Sequence, residues 1–165
     1  MTIRVSKALL LLAMAFFYTL VVFNNINDYN SNLNFVRHIL SMDTTFPGNN
    51  GLWRSIHSPA VHWTFFLSIV CWEAVTGILF YVGAIQLLRH LHSPAITFNS
   101  AKTAGVAALT LSLLMWLTAF LSVGAEWFLM WQSKDWNGQT AASRMFNVAG
   151  IILIYVAMPE LDGQA

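Results

Sequence analysis

Charged residues are scarce in this chain. Only 9% of its 165 residues are Asp, Glu, Lys or Arg, whereas soluble domains carry about 25%. The eight basic and seven acidic residues leave a formal net charge of +1 and form no basic run, so the charge pattern gives no reason to expect nucleic-acid binding. Hydrophobic residues make up 57% of the chain, and its mean hydropathy is +0.60. The composition therefore indicates a chain that lies in a lipid bilayer.

Cysteine is almost absent as well. The single cysteine, Cys71, lies within an apolar run, which excludes an internal disulfide and leaves no second thiolate for a cysteine-based metal site. The sequence also lacks a glycine-rich phosphate loop, a nucleophile elbow and an HExxH motif. We therefore predict no catalytic residues and no metal site, and we favour a non-catalytic protein over an enzyme.

Long apolar runs are what the sequence has in place of these features. Because about 20 apolar residues span the hydrocarbon core, we predict an all-α polytopic membrane protein with four transmembrane helices, at about 5–24, 59–91, 100–131 and 139–158. The polar segment 25–58 is predicted to be an outer loop. It should be partly helical, because Phe35, Val36, Ile39 and Leu40 recur at helical spacing. The whole chain, 1–165, is interpreted as a single membrane domain.

The basic residues divide evenly between the two sides of this topology. Four lie on each side: Arg4, Lys7, Arg89 and Lys102 against Arg37, Arg54, Lys134 and Arg144. Arg4 and Lys7 directly precede the first helix, and basic residues next to a first helix favour the cytoplasmic side. We therefore predict that both termini are cytoplasmic and that the 25–58 loop is outside.

The segment 124–144 is predicted to be a membrane hairpin with a charge on each arm. At about 1.5 Å per residue, Glu126 lies about 7 Å and Arg144 about 6 Å inside the interface. Their similar depth predicts a structural ion pair that joins the third helix to the fourth. The alternative is a pair that gates a proton or a substrate.

Glu73 lies deeper, about 15 Å below an interfacial Trp63, with no basic residue at that depth. Ionisable residues inside a membrane are the default functional candidates. We expect a neutral carboxyl that hydrogen-bonds a neighbouring helix or a partner chain; proton relay and quinone contact are alternatives. His62 shares the face of Glu73, because 11 residues at about 100° each return to within about 20°, but it lies three turns above. Glu73 and His62 are therefore the intramembrane candidates.

The five histidines do not indicate a cofactor site. A haem needs two facing axial ligands, and no two histidines lie mid-membrane on separate helices at equal depth. A zinc site from His38, His57 and His62 is disfavoured because these residues lack the usual spacing of zinc ligands. No cofactor is predicted, and a haem or a quinone stays an alternative.

Most of the tryptophans concentrate on the predicted outer side, namely Trp53, Trp63, Trp127, Trp131 and Trp136. Tryptophan rings commonly lie at the membrane interface, and tryptophan with arginine also forms the anchors of protein interfaces. We list as candidates for binding a partner Asp43, Phe46, Trp53, Arg54, Trp127, Trp131 and Trp136.

Three segments resemble a known family. They are FVRHILSMDTTFP with the following WRSI, then CWEA, then EWFLMWQSKDWNGQTAASR, and together they resemble the bacterial family of predicted small integral membrane proteins, a four-helix domain whose activity is not established. The resemblance implies a multi-pass protein of the bacterial inner membrane. It transfers no catalytic or ligand-binding residues.

Three functions are compatible with these observations. The first is a non-catalytic subunit that binds or stabilises a larger inner-membrane complex, with the bilayer and another membrane protein, or a second copy, as partners. The second is a redox module that handles a quinone or a haem and uses Glu73 and His62. The third is a small oligomeric transporter or channel with Glu73 or Glu126 on its path.

Overall fold

The computed structural model describes residues 1–161, and within this range it consists of helices and connecting turns, without strands. Six helices follow one another: α1 (Thr2–Asn27), α2 (Tyr29–Ser41), α3 (Pro59–Arg89), α4 (Ala95–Ser100), α5 (Thr103–Leu114, continued by a π-helix, Met115–Trp127) and α6 (Gln139–Ala157). Short 3₁₀ turns lie at Leu52–Arg54 and Met130–Gln132.

Four segments of the described range are long and apolar enough to cross a membrane: Thr2–Asn27, Pro59–Arg89, Ala95–Trp127 and Gln139–Ala157. The predicted all-α fold with four membrane helices and a partly helical loop is confirmed. The third segment differs from the prediction, because a turn at residues 101–102 separates α4 from α5 and the helix ends at Trp127.

The four segments alternate in direction, so the bundle has two ends. We call the end that carries Arg4, Arg89 and Lys102 the terminal face, and the end that carries the 28–58 loop and the 128–138 turn the loop face. At the terminal face Arg4 donates to the carbonyls of Leu91 and Ser93. At the loop face Gln132 accepts hydrogen bonds from the backbone of Phe46 and from Asn49.

Helix α3 is the longest element. It begins where the sequence signals a start, with extended Ser58 followed by Pro59 in the first turn, because proline lacks the amide hydrogen that a first turn leaves unpaired. Its 31 residues extend over about 46 Å at 1.5 Å per residue, more than the roughly 30 Å of hydrocarbon. One end of α3 therefore projects beyond the lipid or the helix tilts.

The core lies nearer the terminal face, where α1, α3 and α5 meet. Tyr18 stacks on Phe80 with their ring centroids 5.6 Å apart, and Ala8, Ala15 and Ala84 are fully buried around them. Small residues let helices approach closely in lipid, where the hydrophobic effect does not hold helices together.

Gly83 and Gly105 mark the closest approach of α3 to α5. A Cβ atom added to Gly83 would lie 2.6 Å from the backbone nitrogen of Gly105 and 2.7 Å from its Cα. Both neighbours are backbone atoms and cannot rotate away. At this point the two helices are therefore in direct backbone contact.

The second half of α5 is wound as a π-helix, with hydrogen bonds between residues five apart. The amide of Phe128 donates to the carbonyl of Val123, and the Ser122 hydroxyl donates to that of Leu117, each at 2.9 Å. π-Helices are rare and occur mostly as single-turn bulges within α-helices, often at functional sites. Each residue here advances by fewer than the 100° of an α-helix, so the side chains beyond Met115 point in directions that an α-helical wheel does not give.

Helix α2 lies over the loop face as a cap. Its apolar side, with Leu33, Val36, Ile39 and Leu40 buried, packs on Phe66 of α3 and on residues 125–130. The cap is secured by the hydroxyl of Thr44, which donates to that of Ser133 (2.8 Å).

We predict that Gly83→Ala destabilises the protein by about 1–3 kcal/mol, because the new methyl group overpacks a contact between two backbones. Thermal unfolding in detergent measures the effect. Gly150→Ala is the matched control, since its Cβ would lie 3.8 Å from a Leu113 methyl group, an ordinary contact. Equal stability of the Gly83 variant and the control would show that the helices do not touch here.

Candidate functional site

A cavity of about 540 Å³ lies beneath the cap, between α1, α2, α3, the π-helix and the start of α6. Most of its lining is apolar. The polar side chains that reach it are few: Asn25, Asn32, Ser68, Glu73 and Thr118. This volume falls within the roughly 300–1,000 Å³ of typical ligand pockets, which are also largely apolar with a small number of polar groups.

Glu73 is the one ionisable residue among the side chains that line the cavity in the described range. It is 3% exposed, and its Oε2 accepts a hydrogen bond of 2.6 Å from Asn25 Nδ2 on α1. Glu73 is thus hydrogen-bonded to a neighbouring helix, with Asn25 as the donor, and its neutral form stays a prediction. Because α1 and α3 run antiparallel side by side, the side-chain amide of Asn25, near the end of α1, lies beside Glu73 in the middle of α3.

The second oxygen of Glu73 is free to bind another group. Oε1 has no hydrogen-bond partner among residues 1–161. In this range the one side-chain oxygen or nitrogen that is both fully buried and without a partner is Thr76 Oγ1. Oε1 is therefore not fully buried. Glu73 Oε1 is therefore reachable from the cavity that Glu73 lines.

Aromatic rings form much of the wall near Glu73. Trp116 and Phe120 lie with their centroids 4.8 Å apart, and Trp72 and Phe66 line the α3 side. The indole N–H of Trp72 donates to the carbonyl of Leu111, and that of Trp116 donates to the Tyr18 hydroxyl, each at 3.2 Å. With their N–H groups bonded to the protein, the two indoles offer the cavity ring surface only.

A small polar network lies next to the cavity in the core. The Tyr18 hydroxyl pairs with Ser112 Oγ at 2.8 Å and accepts from Trp116. The sequence reasoning missed both Tyr18 and Asn25. The two residues are seven positions apart, which is two helical turns, so they lie on the same face of α1. This spacing could have indicated that α1 directs polar groups toward its neighbours.

The structure does not bring His62 into the cavity. Its ring is buried, and Nε2–H donates to the backbone carbonyl of Ile56 at 2.8 Å, which fixes the loop to the start of α3. His38 pairs with Asp43 and His57 contacts Ser55. The three histidines of the disfavoured zinc site thus have separate partners.

The seven candidates for partner binding form two groups at the loop face. Trp53 is 77% exposed and meets Trp127 edge to face at 5.9 Å, while the guanidinium of Arg54 lies 5.3 Å from the Trp127 ring centre. Phe46 and Trp131 form a similar exposed pair. We call these five residues the aromatic surface.

The remaining two candidates, Asp43 and Trp136, belong to an internal contact. Trp136 stacks on His38 with the ring centres 4.4 Å apart, and His38 Nδ1 lies 2.9 Å from Asp43 Oδ2. Trp136 also meets Phe35 edge to face. These contacts hold the cap on the 128–138 turn, so Trp136 serves the fold at this position.

The predicted ion pair between Glu126 and Arg144 is not formed. Both side chains are exposed, and neither has an ion-pair partner within residues 1–161. The depth estimate assumed regular α-helix up to Trp131. Because the helix is π-wound from Met115 and ends at Trp127, both the direction and the depth of Glu126 change.

The ion pairs between membrane helices lie at the terminal face instead. Glu160 Oε1 is 2.7 Å from Lys7 Nζ and 3.9 Å from Lys102 Nζ, and its Oε2 is 4.0 Å from Arg4 Nε. Both lysines also donate to the carbonyl of Met158. Lys7 is only 2% exposed. The segment that follows α6 is thereby joined to α1 and α5.

These features define the class of protein. Four antiparallel apolar helices, with ion pairs to Glu160 at the terminal face and, within residues 1–161, a single carboxyl buried between the helices, constitute a polytopic α-helical membrane protein.

The chain belongs to the family described as "Predicted small integral membrane protein (DUF2165)", whose sequence model matches residues 3–159. The resemblance seen in the sequence is confirmed. No curated protein and no solved structure matches the chain.

We predict that Lys7→Met and Glu160→Gln each lower the free energy of unfolding by about 2–3 kcal/mol, since each removes the 2.7 Å ion pair from a largely buried cluster of charges. The loss in the double variant should be smaller than the sum, as expected for residues in contact. Thermal unfolding in detergent measures the cycle. Glu126→Gln with Arg144→Gln is the control cycle and should be additive; coupling there would restore the ion pair predicted from the sequence.

Proposed function

We propose that the protein binds a lipid-soluble molecule in the cavity beneath the cap, with a polar group of that molecule against Glu73. The observation that carries this proposal is the unpartnered Oε1 of Glu73 within an apolar space of about 540 Å³. An ionisable side chain inside a membrane is costly to retain. A binding role accounts for both the carboxyl and the space beside it.

A structural role alone would not account for the space. Protein interiors are packed as densely as organic crystals, with few voids larger than a water molecule. The core around Tyr18 and Phe80 follows this rule, with both side chains fully buried. The cavity lies only a few turns away on the same helices, which supports its being a binding site.

The molecule would enter from the lipid. Phe65 and Ser68 of α3 and Thr118 and Val123 of the π-helix line the cavity and are also exposed on the bundle surface. These exposed lining residues lie on membrane-spanning segments. A ligand dissolved in the bilayer can therefore reach Glu73 without crossing the water phase.

We predict that Ala119→Trp, which places an indole in the cavity, lowers the affinity for an amphiphilic diazirine photoprobe by about tenfold or more, equivalent to about 1.4 kcal/mol. Labelled peptides from the wild type should include the π-helix. Ala13→Trp is the control, because Ala13 is exposed on α1 and does not line the cavity. Equal labelling of both variants at every site would count against a cavity that binds ligands.

A second candidate function rests on the aromatic surface. We infer that an accessory membrane subunit would bind a partner membrane protein, or a second copy of this chain, through Trp53, Arg54 and Trp127. Exposed tryptophans ordered by an arginine resemble the anchors of protein interfaces. An interfacial aromatic belt explains the same residues, so an experiment must separate the two roles.

We predict that Trp53→Ala with Trp127→Ala removes a stoichiometric partner that co-purifies with the wild type in mild detergent. Leu117→Ala, an exposed position on the π-helix, is the control and should retain the partner. Wild-type protein that runs as a lone chain would exclude the subunit role. Retention of the partner by the double variant would assign the tryptophans to the lipid interface.

We further propose that the terminal face is cytoplasmic in a bacterial inner membrane. Four basic residues lie on each side of the bundle, but Arg4 and Lys7 lie at the start of the first span, and basic residues next to a first helix favour the cytoplasmic side. Green fluorescent protein fused after residue 165 should then fluoresce, whereas alkaline phosphatase at the same place should be inactive. The reverse pattern would invert the topology.

A further inference from the structure

Among the described residues, the lining of the cavity contains an acidic group and no basic one. Glu73 is the one ionisable residue that lines it among residues 1–161. A carboxylate removed from water is strongly destabilised unless it is paired with a positive charge. Burial without a counter-charge favours the neutral acid that the sequence led us to expect, whereas a positively charged ligand beside Glu73 would favour the carboxylate.

The basic side chains of the described range are engaged elsewhere or exposed. Arg4, Lys7 and Lys102 surround Glu160 at the terminal face. Arg54 lies over the aromatic surface, and Arg37 donates to Asn34 on the cap helix. None of them lines the cavity or pairs with Glu73, so a positive charge at Glu73 has to come with a ligand.

We propose that the ligand of the cavity is a lipophilic cation, such as a hydrophobic amine or a quaternary ammonium or phosphonium ion, whose charge pairs with the Glu73 carboxylate. This inference rests on the proposed function, because it names the chemical class of the bound molecule. Asn25 holds Oε2 by donating to it and leaves Oε1 for the cation.

The walls of the cavity suit such a ligand. The ring surfaces of Trp72, Trp116, Phe66 and Phe120 line it. A cation within about 6 Å of an aromatic centroid is attracted by the negative ring face, and the attraction grows when water is excluded. The apolar part of the ligand would pack against the same rings.

Other classes of ligand fit less well. A fatty acid would bring a second negative charge beside Glu73 with no cation to offset it. A quinone has only carbonyl acceptors; the amide hydrogens of Asn25 and Asn32 could meet them, but a quinone brings no positive charge to Glu73. A cation uses the one charge that the cavity provides.

Equilibrium dialysis of the purified protein against radiolabelled tetraphenylphosphonium tests the proposal. Glu73→Gln removes the charge with almost no change in size and should weaken binding by about tenfold or more. Glu73→Asp retains the charge and should stay closer to the wild type. Glu126→Gln is the matched control, because Glu126 is an exposed carboxyl outside the cavity, and it should bind as the wild type does.

A neutral short-chain benzoquinone is the comparison ligand. If the quinone binds and the cation does not, the cation proposal is wrong while the proposed function stands. If neither binds to the wild type, both fail. Equal binding of the cation to the wild type and to Glu73→Gln would show partition into the detergent or surface, and would also overturn the proposal.

A second variant covers the case in which Glu73→Gln does not fold. Ala119→Trp fills the cavity from the π-helix and leaves Glu73 in place. It should reduce cation binding by about tenfold or more, whereas Ala13→Trp should not change it. Cation binding that survives a filled cavity would place the cation outside it and contradict the proposal.

Discussion

Polar groups inside a bilayer have to be satisfied by the protein itself, and this constraint organises the structure. The hydrogen bond from Asn25 to Glu73 is its central case, because Glu73 is the one carboxyl of residues 1–161 that is buried between the membrane helices. The bond joins the loop-face end of α1 to the middle of α3 and thereby sets the floor of the cavity. This hydrogen bond satisfies only Oε2 of Glu73. Oε1 has no partner among residues 1–161, and the proposed ligand would supply one.

The two ends of the bundle meet the same constraint differently. At the terminal face, Lys7 and Lys102 share the carbonyl of Met158 and the carboxylate of Glu160, and three helices are held together there. At the loop face, the cap closes over the helices through apolar contacts and a few hydrogen bonds, and space remains below it. The ion pairs at the terminal face therefore hold the helices together while the cavity beneath the cap stays open at the loop face.

Hydropathy and depth predicted much of this fold and part of the site. The four spans follow from apolar length, and the burial of Glu73 follows from its distance to the interface. The failed pair of Glu126 and Arg144 depended on regular α-helical geometry, which the π-helix replaces. The ion pair between Lys7 and Glu160 was not predicted. Lys7 was used only to predict the topology, and Glu160 was assigned to the polar segment after the fourth helix. The cavity depends on where α2 packs on the bundle. Hydrophobic periodicity indicates which side of α2 is buried but not which helices that side packs against.

The backbone contact between Gly83 and Gly105 has a mechanical consequence. It holds α3 and α5 together toward the terminal face, whereas nearer the loop face the same two segments line opposite sides of the cavity. The hydrogen bond from Trp72 to the carbonyl of Leu111 links the same two helices a second time, at a residue that lines the cavity. The separation of α3 and α5 beside the cavity is therefore limited by two contacts, one between backbones and one from an indole.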